Sequence, residues 1–198
     1  MSQTHSFATP APAGLGALAM ACFCFYALLS GKVTPDARPI LACWMVGGGI
    51  VQLATGLIEL KDHNLTGGNV FTFFAAFFMF ATALSLATKY GLAQAGLPMD
   101  TRIEGWGWLA GTGFLIAMTP NYLKSTKLLF LIAILLDVVL ICITVVDLQL
   151  DVNAALFANV AAWSCMVAGW IAIYLVAAVS INANFGRMIL PIPSPIVK

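Results

Sequence analysis

Six stretches of this chain carry few or no charged residues: 13–30, 39–58, 69–88, 105–119, 128–146 and 154–179. A helix rises about 1.5 Å per residue, so about 20 apolar residues are needed to cross a hydrocarbon core about 30 Å thick. Five of the six stretches suffice, while 105–119 is short and must draw on Ile103 or Pro120 at its ends. Lipid leaves no water to satisfy the backbone, so apolar runs of this length fold as helices that bond their own amides. The spacing therefore predicts an all-α polytopic membrane protein with six transmembrane helices. Composition agrees, with 61% of residues hydrophobic and 9% charged, against about 45–50% and about 25% in soluble domains.

Between the spans lie a 12-residue N-terminal tail, loops of 8, 10, 16, 8 and 7 residues, and a 19-residue C-terminal segment. None can hold a soluble domain, so residues 1–198 read as one membrane domain whose function lies among its helices. The tail has no Lys or Arg before the first apolar run, unlike a signal peptide, so 13–30 is expected to be a retained helix. A net charge of +1 excludes a nucleic-acid footprint and a polybasic lipid anchor. If the N-terminus is cytoplasmic, Lys61, Lys124, Lys127, Arg187 and Lys198 lie inside and Lys32, Arg38, Lys89 and Arg102 outside, which leans toward that orientation.

Cys22, Cys24, Cys43, Cys142 and Cys165 all fall inside spans, where a small soft hydrophobe packs well. His5 and His63 lie far from them and complete no zinc site. Phosphate-binding loops, HExxH and paired CxxC are all absent, so no enzyme chemistry, metal or cofactor is expected. Asn64-Leu65-Thr66 has the glycosylation pattern but falls on the expected cytoplasmic side, so it carries no weight.

Polar residues within the spans are the functional candidates, because an intramembrane polar group faces a bundle interior or a water path rather than lipid. Gly48, Gln52, Gly56 and Glu59 fall within about 80° of one another on the second span. Glu59, beside Lys61 and Asp62, reads either as a functional acid or as an interfacial one. Gly47-Gly48-Gly49 marks either a helix break, as in some transporters, or close helix approach through small residues, the favoured reading. Asn69, Thr72 and Ala76 form a stripe on the third span, surrounded by phenylalanines. Asp137, with Thr144 on its face, is the one charge well inside a span. Its insertion cost of ~2.5–3.5 kcal/mol means that it is paired, hydrated or protonated, and marks either an ion or proton route or a structural hydrogen bond between helices.

The run Thr9-Pro10-Ala11-Pro12-Ala13-Gly14-Leu15 resembles the N-P-A-P-L-G-L signature of the acetate uptake transporter family, which includes bacterial succinate-acetate permeases and yeast ammonia/acetate transport proteins. Gly56-Leu57-Ile58-Glu59, Phe71-Thr72, Ala172-Ile173-Tyr174, and Asn184-Phe185-Gly186-Arg187 with Ile189-Leu190-Pro191-Ile192 are similar to further family motifs. The likeness is weakest from the loop after the third span through the fourth span. It implies a six-helix protomer with both termini cytoplasmic, a homohexamer in the inner or plasma membrane, and a separate path in each protomer for acetate and related carboxylates such as succinate. Members are described both as proton-coupled transporters and as channels.

The resemblance also places an apolar constriction at Leu18, Phe74 and Leu136. The bacterial family has Phe, Tyr and Leu there, so this ring stays apolar and loses a hydroxyl. Thr9 stands where the signature has asparagine and Ala13 where it has leucine. Asp137, next to the ring, becomes the candidate proton carrier or pathway charge. The alternatives are a hexameric channel for a small neutral solute such as urea or a short amide, and a membrane assembly protein without flux.

Overall fold

The computed structural model describes residues 8–150 and 152–197, so His5, Asp151 and Lys198 lie outside the described residues. Its main elements are α1 (Ala11–Leu29), α2 (Arg38–Lys61), α3 (Leu65–Phe73), a π-helical segment (Phe74–Ala81), α4 (Thr82–Gln94), α5 (Arg102–Met118), α6 (Lys127–Asp147) and α7 (Ala154–Phe185). A 3-10 turn precedes α2 (Pro35–Ala37) and another follows α5 (Thr119–Lys124). Five stretches are long and apolar enough to cross a membrane: α1, Pro35–Lys61, the unbroken run Leu65–Gln94, α6 and α7.

α5 has 17 residues and stops beside the middle of α6. There Thr119 meets Asp137, ten residues past Lys127 and so about 15 Å along α6. The 3-10 turn carries the chain onward to the start of α6. Other helices run beyond the apolar windows, because a helix continues until something caps it. Asn64 accepts from the Gly67 N–H to start α3 only three residues after α2 ends. Asn153 and Thr126 cap α7 and α6 in the same way, and Gly186, at φ 63°, ends α7 in the left-handed conformation.

Small residues set the packing, as expected where helices associate without a hydrophobic driving force. α1 lies against α7, where a Cβ at Gly169 would sit 2.7 Å from the Phe23 ring and 3.3 Å from Cys22 Cβ. Both helices bury small residues completely: Ala19, Ala21 and Cys22 on one, Ala161, Cys165, Ala168 and Ala172 on the other. The three consecutive glycines of α2, Gly47-Gly48-Gly49, do not break it. A Cβ at Gly49 would sit 2.7 Å from the Phe80 ring, and one at Gly48 3.1 Å from Met79 Sδ. The bareness of Gly48 and Gly49 admits the wide π turns of the facing helix.

The start of α1, the α2–α3 turn and the α5–α6 link gather at one end of the bundle, since Ala11, Glu59, Asn64 and Ser125 line one cavity. The tail after α7 reaches the same end, where the Ile196 and Val197 N–H groups donate to the Leu123 carbonyl. At the other end Glu104 of α5 accepts from Ser85 and Lys89 of α4. Nearby, on the exposed α4–α5 loop, the Arg102 guanidinium holds the Asp100 carboxyl down at about 2. The outer surface is apolar, with Trp44, Trp106, Trp163 and Trp170 all more than half exposed. Such a surface belongs against lipid or another protein.

Candidate functional site

A cavity of about 110 Å³ lies between α1, α2, α3 with its π extension, the end of α5 and α6. One water needs about 10–15 Å³ measured this way, so the space suits a solute of a few heavy atoms. Its inner end is built at one depth. Leu18 is seven residues after Ala11, Gln52 nine before Lys61, Phe74 nine after Leu65 and Leu136 nine after Lys127. At 1.5 Å per residue all four sit about 10–14 Å from the same end of the bundle, near the middle of a hydrocarbon core. All four line the cavity, and all are buried.

Its mouth is polar. Glu59 is buried rather than solvated, with 6% of its surface exposed, and its carboxylate accepts from Asn64 Nδ2. Asn64 thus does two tasks, capping α3 through Oδ1 and fixing Glu59 through its amide. Tyr122, Ser125 and Thr66 complete the rim. Gln52, at 1% exposure, has no hydrogen-bond partner for Oε1 among the described residues, so the cavity holds a free polar group on an otherwise apolar inner wall.

The stretch 9–15 forms the wall on the α1 side. Thr9 Oγ1 accepts from the Ala11 N–H, and the Pro10 carbonyl accepts from Thr55 of α2. Pro12 stands in the first turn of α1, where its missing N–H costs nothing. Gly14 is required by space, because a Cβ there would lie 2.7 Å from the Phe71 ring and 2.8 Å from Thr55 Cγ2. Ala11 and Leu15 line the cavity directly.

Three candidates lie elsewhere. Asn69 Nδ2 donates to the Leu65 carbonyl and Thr72 Oγ1 to the Gly68 carbonyl, so both are satisfied on their own helix and neither lines the cavity. Thr72 instead packs on Gly56, and the cavity face of α3 and its π extension is Thr66, Gly67, Val70, Phe71 and Phe74. Asp137 is one residue past Leu136, a rotation of about 100°. It therefore faces α5, with Oδ2 2.8 Å from Thr119 Oγ1. Thr144, on the same face, pairs with Thr112 of α5 at 3.0 Å. Conversely Leu115 and Tyr122 line the cavity without having been singled out in the sequence, and Asn64, noted there only for the glycosylation pattern, lines it too. Only Asn64 had a signal, its place between two apolar runs as a helix cap.

Helices long and apolar enough to span a bilayer, packed around a polar-mouthed internal cavity, define a multi-pass membrane protein of the transport class. The chain matches the GPR1/FUN34/yaaH family over residues 1–194 and belongs to it. That family is one of transporters and channels, not of enzymes. The chain is 31% identical over 185 residues to the succinate-acetate/proton symporter SatP of Escherichia coli (strain K12), covering 93% of this chain and 95% of the relative. It is 27% identical over 160 residues to acetate permease A of Emericella nidulans, covering 75% and 52%. A solved structure of the bacterial acetate channel SatP superposes with a TM-score of 0.80 at 28% identity, over 94% of this chain and 99% of that one.

Proposed function

We propose that this protein conducts acetate and related short carboxylates, succinate among them, across the inner or plasma membrane through the cavity. The carrying observation is the equal depth of Leu18, Phe74 and Leu136, an apolar ring beneath a polar mouth. The names of the relatives, a symporter, a permease and a channel for acetate, support the same solute.

A carboxylate at the ring must shed water with Gln52 as the one polar side chain lining the cavity at that depth. Burying an unpaired charge costs far more than burying a neutral acid, so the ring favours acetic acid, or acetate accompanied by a proton. Glu59, held by Asn64, gives the mouth of the same cavity its polar character. Asn69 and Thr72 are assigned to support of the mouth rather than contact with solute.

α5 with its 3-10 extension is the sixth crossing in this reading. Support comes from its ends, which lie with Lys89 of α4 at one end of the bundle and with the start of α6 at the other. Both termini then share one side, the side of Lys61, Lys124, Lys127 and Arg187, which the positive-inside rule makes cytoplasmic. The apolar outer surface around Trp163 and Trp170 suits the protomer contacts of a homohexamer.

The test is uptake of labelled acetate, with labelled urea in parallel, into liposomes containing the purified protein, with and without an inward proton gradient. Acetate flux above the protein-free leak is expected to rise with the gradient. Flux indifferent to the gradient would mean a channel without coupling, and urea flux without acetate flux would replace the carboxylate reading with the neutral-solute one.

A further inference from the structure

Asp137 is 9% exposed, and its neighbours leave it an unusual set of hydrogen bonds. Thr119 Oγ1 lies 2.8 Å from Asp137 Oδ2 and 3.0 Å from the Leu115 carbonyl oxygen, both of which are acceptors if the aspartate is ionised. A threonine hydroxyl has one hydrogen and cannot serve both. Asp137 Oδ1 has no partner among the described residues. An ionised Asp137 would therefore be a buried anion holding one shared hydroxyl proton, with one oxygen bare. Protonation resolves the conflict: the Asp137 O–H donates to Thr119 Oγ1, and Thr119 donates to the Leu115 carbonyl. Only a neutral carbonyl oxygen is then left unpaired, which costs much less than an unpaired charge.

No counter-ion among the described residues offsets this. α6 packs chiefly against α5, α7 and the 3-10 turn. The titratable side chains they carry are Arg102 and Glu104, Cys165 and Tyr174, and Tyr122 and Lys124. Arg102 is paired with Asp100 and Glu104 with Lys89, at the far end of α5. Tyr174 donates to the Pro191 carbonyl, Cys165 is an uncharged thiol, and Lys124 is exposed. On α6 itself, Lys127 and Asp147 stand ten residues away on either side, and Cys142 is a buried thiol.

The two ends of this hydrogen-bond chain are adjacent to the cavity. Leu115, whose carbonyl accepts, and Leu136, the residue before Asp137, both line it. We propose that Asp137 is a neutral acid that, through Thr119 and the Leu115 carbonyl, clasps α6 to the end of α5 and fixes the spacing of Leu115 and Leu136. It is a positioning residue that neither touches the solute nor carries its proton. The protonation state stands on the hydrogen bonds alone, whereas the effect on flux rests on the transport reading.

The experiment compares the full-length parent with D137N, D137A and T119V in liposomes. The infrared difference between parent and D137N at pH 7 is expected to show loss of a protonated carboxyl C=O band. Loss of carboxylate bands instead would overturn the clasp. In flux, the amide introduced by D137N retains a donor toward Thr119, so this variant is expected to stay within about twofold of the parent with the same pH profile. D137A and T119V, checked as folded by gel filtration and melting, are expected to shift the propionate-to-acetate flux ratio by roughly threefold or more. A flattened pH profile in D137N would overturn the proposal in favour of a proton-carrying aspartate, and unchanged ratios in both D137A and T119V would remove the positioning role. A parent without acetate flux would defeat the transport reading, while the infrared arm would still decide the protonation state.

Discussion

A methyl group added at Gly56 would lie 2.6 Å from Thr72 Cγ2 and 2.7 Å from the Thr72 amide nitrogen. Since one of those atoms is backbone, α2 and α3 cannot accommodate it without separating. G56A is expected to destabilise the protein by about 1–3 kcal/mol, read as a lower melting temperature in detergent. An unchanged melt would show that the two helices are looser than described. Asn64 carries a different cost. N64A removes the cap of α3 and the partner of Glu59 together, and the lost cap alone is expected to cost about 1 kcal/mol. N64D keeps the cap while placing a second carboxylate beside Glu59, so comparing the melts of the two variants at pH 7 and pH 4 separates the contributions. If N64D melts like the parent at pH 7, Glu59 does not feel its neighbour.

At the scale of elements, the segment after α7 is an organised strap. Asn182 Oδ1 accepts from the Ile189 and Leu190 N–H groups at 2.7 and 2.9 Å, and its Nδ2 donates to the Leu190 carbonyl at 2.8 Å. Tyr174 and Leu123 hold the strap further along. N182A is expected to speed amide exchange at Ile189, Leu190, Ile196 and Val197 by roughly tenfold. Unchanged exchange at Ile196 and Val197 would mean that the strap is held at Leu123 independently. Such an element was not legible in the sequence, because its order depends on side-chain bonds to distant backbone rather than on periodicity. The long apolar runs were legible, since hydrocarbon excludes charge residue by residue. Run 69–88 nevertheless grew to Leu65–Gln94, where capping rather than hydropathy ends a helix. Which face of α3 lines the cavity was not legible, for a related reason. Polarity singled out Asn69 and Thr72, yet local bonds to their own helix satisfy both, and the glycine at 56 draws Thr72 to α2.

For the whole molecule, the arrangement that matters is four helices placing Leu18, Gln52, Phe74 and Leu136 at one depth. Three of these residues were named through the family resemblance and Gln52 through its polarity, whereas Leu115 and Tyr122 became visible only once α5 was seen to stop halfway and turn through a 3-10 segment. The proposed function requires that the solute pass this ring. Its most direct test is acetate uptake by the parent and by L18W, reconstituted side by side at matched protein content. The Leu18 side chain is 5% exposed and lines a cavity of about 110 Å³, so an indole there fills the path. Saturable acetate uptake is expected in the parent, and uptake no faster than the protein-free leak in folded L18W. Equal uptake by the two proteins would contradict it and place the route outside this cavity.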